Sequence, residues 1–388
     1  MAVSLPELAR DPYPILHRLR EENPVAWIPT LGMWFITRRD DVLAVLRDTE
    51  RFRTDSVRSP IFSTFGSQML SAEGETHRRY KSACAPPFNA RAVHERAEPI
   101  VREITRNLLE TADSEGRFDL RARLAAPLAL RTVARILGFS EAMEETLRGW
   151  YDAFAEALAD YEAVAVTRSR GVLAAESFAA VVRPRLGEMR EDDLSLLSHL
   201  ARQSPRMLDD DEVVSNALIV LFGGIETTEA AISNAAWALL THPEAQDIAL
   251  GGEESLALAI EESLRWEPAV QTCTRYAAAD TTLRGATIRE GNVVQCMIGA
   301  ANRDPAAFPD PDTFRADRAN AGEHLSFGSG RHFCLGAALA RVEARVAIGA
   351  FFDRFPSARL DPAVDSRPFG HEFRKPKALV VEARVSTP

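Results

Sequence analysis

The chain has 388 residues, 46% hydrophobic and 26% charged, which is the make-up of a folded globular protein. A net charge of −10 argues against nucleic acid as a partner. Its four cysteines form no CxxC pair, its N-terminal stretch carries charges throughout, and its apolar run "NALIVLFGGI" is far short of the roughly 20 residues that span a bilayer, so a cytoplasmic protein with no membrane partner is expected.

Taken in chain order, the periodicity predicts mostly helix. "DPYPILHRLREENP" reads as a short amphipathic helix ending before Pro24. "VAWIPTLGMWFITRRDDVLAVL" reads as two short strands around a Leu-Gly turn, then a helix opened by Asp40 or Asp41. Residues 54–76 lack periodicity and read as a long loop. Helices are predicted at about 77–85, 90–111, 120–137, 140–160 and 165–187. "DDDEVVSNALIVLFGGIETTEAAISNAAWALLTHPEA" reads as a single helix of about thirty residues, long for a globular protein. A helix over 253–266 stops before Pro268, 269–298 is strand-like, 302–326 is Pro- and Asp-rich coil, and a last helix runs over 336–353. No repeat or linker interrupts the chain. The expectation is one large, mainly α domain over 1–388 with small β-sheets.

The stretch "FGSGRHFCLG", residues 327–336, carries the chemistry. A disulfide at Cys334 is disfavoured in a cytoplasmic chain. A dinucleotide loop fails because the third glycine of GxGxxG falls on Phe333, and the preceding segment is coil rather than a strand. A thiolate ligand fits better. Leu335, Leu339, Val342, Val346 and Ala350 share one helical face, so a helix starts near Gly336 and its positive end favours thiolate at Cys334. Gly328 and Gly330 allow a tight turn, Gly336 lets a flat ligand come close, and Phe327 is placed to shield the sulfur. No HExxH and no Cys/His pair at zinc spacing accompanies it. A lone cysteine ligand makes sense when a cofactor carries the other ligands, as haem does with its four nitrogens.

With these residues the chain strongly resembles the cytochrome P450 monooxygenases of the soluble bacterial type. "FGSGRHFCLG" matches the haem-thiolate signature FGxGxHxCxG at every fixed position. The resemblance implies a haem b cofactor lying between the long central helix and the cysteine loop with its last helix. It makes Cys334 the iron ligand and His332 a haem-propionate contact.

"EESLR" places Glu262 and Arg265 one helical turn apart, which alone reads as a surface ion pair. The resemblance makes it a buried pair completed by Arg318 from "PDTFRADR", structural rather than catalytic. "GGIETTE", residues 223–229, sits in the middle of the long helix, where two glycines cost about 1 kcal/mol each relative to alanine. On the residues alone, close helix contact at Gly223-Gly224 is an equal reading. The resemblance makes it an oxygen-binding groove, with Gly224 opening space for O2 and Glu226 and Thr227 as a catalytic acid–alcohol pair. Cleaving dioxygen consumes two protons at its distal oxygen, so a hydroxyl that donates and accepts is needed beside a carboxylate. In "GETHRRYKSACAPPF", His77 fits a propionate-binding position, and Lys81 stands where the family has arginine, which loses the bidentate fork. Arg275 in "TRYAAAD" takes another propionate position.

By the same resemblance the substrate pocket draws on Phe62, Phe65, Ile219, Phe222, Gly223, Ala269, Val270, Thr272 and Phe369. This apolar set implies a hydrophobic small molecule of terpenoid or polyketide type. With no room for a flavin or nicotinamide domain, electrons are expected from a separate ferredoxin and its reductase. Arg78, Arg79, Arg331, Arg341 and Arg345 are a candidate docking face. A peroxide-driven peroxygenase and a non-catalytic haem or ligand carrier of the same fold are the rival readings.

Overall fold

The computed structural model describes residues 3–112, 116–159, 165–188, 193–203 and 205–383. Its contacts fall into two compact units, one of residues 1–53, 105–126 and 227–388, the other of residues 54–104 and 127–226.

The first unit holds the sheets. Its five-stranded sheet has the order Val25–Ile28, Met33–Ile36, Val293–Met297, Thr272–Ala277 and Phe52–Arg53. Only Met33–Ile36 and Val293–Met297 run parallel. The register pairs Cys273 with Cys296 and Arg275 with Val294, so Cys273 and Arg275 share one face and Thr272 and Thr274 the other. One face closes over a core that includes Val42, Val45 and Leu46 of the helix Arg39–Arg47. A three-stranded sheet joins Arg117–Asp119, Val380–Glu382 and Arg359–Leu360. The helix Glu253–Trp266 has the predicted bounds, and Ala337–Arg354 lies within one residue of prediction.

The second unit is helical. It contains Pro60–Phe65, Gly74–Cys84, Ala126–Leu137, Glu144–Leu158 and Ala165–Leu186, the third starting one residue before this unit's boundary. The helix Pro60–Phe65 falls where the sequence reads as loop. Its six residues are too few to show a period, and the signal is Ser59, whose hydroxyl accepts from the Phe62 N–H, followed by Pro60 at the first position. Residue 160, the expected end of the 140–160 helix, lies outside the described residues. The short helices Leu5–Arg10, Leu196–Ala201 and Pro243–Ala249 were also illegible by periodicity.

The long helix Asp210–Thr241 has 32 residues, beginning in the second unit and ending in the first. By length and composition it could cross a membrane, but 78% of its most apolar window is buried within the protein. That is the pattern of a core helix, apolar all round because all sides are covered. It is α-helical without interruption across 223–229.

The two mid-helix glycines have different reasons. A Cβ at Gly224 would come within 2.7 Å of Val133 Cγ2, whereas one at Gly223 would meet nothing within 4 Å. Gly224 is therefore required by close packing on the helix Ala126–Leu137, and the open space expected at Gly224 stands at Gly223 instead. Gly224→Ala should destabilise the protein by about 1–3 kcal/mol through overpacking. Val133→Ala should restore most of that loss in the double variant, read by thermal unfolding. A single variant as stable as the parent would show that the helices part freely there.

Candidate active site

The cysteine loop lies in the first unit. Gly328 and Gly330 have φ of +69° and +72°, the left-handed region where glycine is favoured. Gly330 also packs against Arg47, whose Cα would lie 3.2 Å from an added Cβ. The Cys334 N–H donates to the Phe327 carbonyl at 2.9 Å and closes the loop. Cys334 is exposed, two residues before Gly336 caps the 18-residue helix Ala337–Arg354. A Cβ at Gly336 would meet nothing within 4 Å, so the backbone there is open to a flat ligand. Phe327 lies tilted against His324, ring centroids 5.6 Å apart, and carries the Arg341 guanidinium over its ring at 4.5 Å.

The other cysteines are buried to different degrees. Burial pushes the thiols of Cys84 and Cys296 up to about 12, and it raises Cys273 as well. None of those three is poised to be a thiolate.

Arg275 is 4% exposed on its strand. One of its terminal nitrogens donates to the Thr274 carbonyl at 2.8 Å. Its Nε has no hydrogen-bond partner and its guanidinium no carboxylate among the described residues. A buried cation in this state calls for an anion, and a haem propionate supplies one. The exposed Cys334 thiol, the open backbone at Gly336 and the uncompensated Arg275 together fit haem.

The carboxylate of Glu262 organises the coil ahead of this loop. Arg265 Nε and Nη2 donate to its two oxygens at 2.6 and 2.8 Å, and Arg318 Nε donates at 3.0 Å. Glu262 and Arg265 are 0% exposed and Arg318 4%. The guanidiniums then spend their remaining N–H groups on coil carbonyls. Arg265 reaches Asn302 and Pro311, and Arg318 reaches Pro309, Asp310 and Thr313. Beside them, Glu261 takes Arg341 at 2.6 and 2.9 Å and faces His324 at 3.3 Å. Burial pushes the Glu261 carboxyl up, but hydrogen bonds from His324 and Arg341 outweigh it and hold the group at about 2.

In the second unit, His77 is 3% exposed on the helix Gly74–Cys84, and Lys81 stands one turn further on, half-buried. Glu226 is 7% exposed on the long helix. The neighbouring acid of the same motif is committed elsewhere in the first unit: Glu229 pairs with Arg121 and with Lys375 at 3.0 Å.

The structure gathers some of the apolar candidates and separates others. Phe65 and Phe222 meet with ring centroids 6.0 Å apart, alongside Phe154 and Tyr151, which the sequence reading missed. Ile219 is buried one turn before Phe222, and Phe62 is half-buried. In the first unit the chain that meets Ala269 and Val270 is not at Phe369. Val270 bridges Phe373, the Arg374 N–H donates to the Ala269 carbonyl, and the Gln271 N–H donates to the Glu372 carbonyl. Phe369 sits 41% exposed under the Lys377 ammonium, and it is Phe373 that bridges Val270. Thr272 is buried on the strand face away from Cys273 and Arg275.

The expected docking arginines are largely neutralised. Arg78 pairs with Glu75, Arg79 forks onto Glu212, and Arg341 is held by Glu261. Arg331 is exposed.

Comparison with known proteins places this geometry in a family. The profile described as "Cytochrome P450" matches residues 255–379, which include the Glu262 network and the cysteine loop. The cytochrome P450 monooxygenase PikC of Streptomyces venezuelae is 35% identical, over 92% of this chain and 86% of that one. The structure of P450BioI in complex with an acyl carrier protein bearing hexadec-9Z-enoic acid superposes with a TM-score of 0.89 at 30% identity, covering 97% of this chain and 98% of that one. The bacillaene polyketide synthase cytochrome P450 PksS of Bacillus subtilis 168 gives 0.87 at 28% identity, with 97% and 98% covered. The chain belongs to the cytochrome P450 family. It is a haem-thiolate monooxygenase that depends on redox partners and takes hydrophobic substrates.

Glu262→Gln should leave two buried guanidiniums short of an anion and cost about 3–5 kcal/mol. The purified variant should carry substoichiometric haem, measured by haem content per chain alongside thermal unfolding. Full haem occupancy at unchanged stability would mean that the coil holds itself.

Proposed function

We propose that the chain binds one haem b as a single catalytic domain through Cys334 and inserts one oxygen atom of O2 into a hydrophobic natural product of terpenoid or polyketide type. The observation that carries this reading is the exposed Cys334 thiol at a helix start, on the same unit as the buried, uncompensated Arg275. Arg275, His332, His77 and Lys81 are the propionate contacts, while Phe327, Gly328 and Gly336 shape the cradle on the thiolate side. Haem, when bound, supplies the activation of dioxygen.

The remaining chemistry falls to this chain. Thr227 Oγ1 would hold a proton received from the Glu226 side and could pass it on, since a hydroxyl accepts and donates at once. The Glu226 carboxylate is reprotonated from solvent. Phe65, Phe222 and Ile219 exclude bulk water and offer dispersion contact to an apolar substrate. Polyketide and acyl substrates are in keeping with the names of PksS and of the P450BioI complex. Electrons come from a separate ferredoxin and reductase, in the cytoplasm.

Cys334→Ser should abolish the strongly red-shifted absorption band of the reduced, CO-bound protein, because that band requires thiolate. Its survival would remove Cys334 as ligand and the reading with it.

Thr227→Ala should retain haem but divert reducing equivalents into hydrogen peroxide. An unchanged ratio of product to NAD(P)H consumed would take the hydroxyl out of the mechanism.

A further inference from the structure

Phe327 opens the cysteine loop, and its carbonyl accepts the Cys334 N–H at 2.9 Å. The backbone next to it does little to fix its ring, because Gly328 and Gly330 both sit at positive φ and glycine restrains a chain least. The ring is held from two sides by side chains. The Arg341 guanidinium lies over its face at 4.5 Å, and the His324 imidazole meets it with centroids 5.6 Å apart. These two jaws come from different segments, the helix Ala337–Arg354 and the coil before the loop.

Both jaws are fastened to one carboxylate, Glu261 on the helix Glu253–Trp266. Arg341 forks onto its two oxygens at 2.6 and 2.9 Å. His324 Nδ1 accepts the Ser326 N–H at 3.2 Å, which leaves the imidazole proton on Nε2, 3.3 Å from Glu261 Oε2. Nε2 faces no other acceptor, and Arg341 pairs with no other carboxylate, among the described residues. The side chain of His324 is 2% exposed and that of Glu261 19%, so this is not the solvated kind of pair that contributes little. Glu261 stays ionised across the neutral range, its carboxyl held at about 2. Neutralising it would release both jaws from their anchor at once.

We propose that Glu261 is a positioning residue for thiolate ligation: through Arg341 and His324 it fixes Phe327, and with Phe327 the backbone bond that sets Cys334. This rests on the reading of Cys334 as the iron ligand. Groups behind a ligand orient it, and their loss is felt at the metal although they never touch it. The role differs from that of Glu262, which supports the coil rather than the ring.

The test follows the red-shifted band of the reduced, CO-bound, haem-loaded protein over time, at a fixed temperature below the onset of unfolding. Glu261→Gln should purify with full haem content yet lose that band about tenfold faster than the parent. Arg341→Gln, which removes one jaw and leaves the carboxylate, should accelerate the loss by a smaller factor. Phe327→Leu should accelerate it too, and adding Glu261→Gln to Phe327→Leu should change nothing further, because the carboxylate acts through the ring. Equal lifetimes in Glu261→Gln and the parent would overturn the proposal. So would effects of Glu261→Gln and Phe327→Leu that multiply, or a Glu261→Gln variant that sheds haem in step with its band, since each makes the carboxylate a brace of the fold alone. A parent without the red-shifted band would remove Cys334 as the ligand and this inference with it, which sets that failure apart from the others.

Discussion

The buried carboxylate of Glu262 is the interaction on which the catalytic unit depends. Residues 302–326 contain little regular structure, so their backbone carbonyls have few ladder partners. A buried carbonyl without a donor is costly. Arg265 and Arg318 supply those donors, but two guanidiniums side by side repel and resist desolvation. Glu262 makes their coexistence possible by accepting from both. The coil is thus solvated by side chains rather than by water or strands. The cysteine loop begins where this support ends, at Ser326, whose hydroxyl donates to the Leu264 carbonyl of the same helix at 2.6 Å.

The same economy of charge runs through the neighbouring elements. Arg341 is one turn into the helix after Cys334, yet it turns back to Glu261 and lies over Phe327. Glu229 is drawn off by Arg121 and Lys375. Arg303 is spent on the Trp266 carbonyl and the faces of Tyr13 and Trp266. In each case a basic side chain that reads from sequence as surface charge is part of the internal scaffold.

This explains what was legible beforehand and what was not. Long helices such as Glu253–Trp266 and Asp210–Thr241 announce themselves by period and by the prolines beyond them. Pro60–Phe65 is too short for a period to register. Gly328 and Gly330 were readable because a tight turn demands glycine there, whereas the split between Gly223 and Gly224 depends on Val133, some ninety residues away in the chain. The pairing of Phe373, rather than Phe369, with Val270 is hidden for a similar reason. Which residue of the late turn meets Val270 is decided by strand pairing, and that register is not written in the apolar pattern of "RPFGHEF". The arginine pairings of Arg79 and Arg341 likewise rest on acids remote in sequence.

The differing burial of the four cysteines has a practical consequence for handling the protein. Cys84 and Cys296 are fully buried with thiols near 12, and burial also raises Cys273, so none of the three competes for an electrophile at neutral pH. Cys334 stands exposed at the positive end of a helix. Any chain that meets an alkylating reagent or an oxidant before it meets haem is therefore marked first at Cys334, the proposed iron ligand. The order in which cofactor and oxidant arrive, rather than the stability of the fold, then sets what fraction of a preparation is capable of turnover.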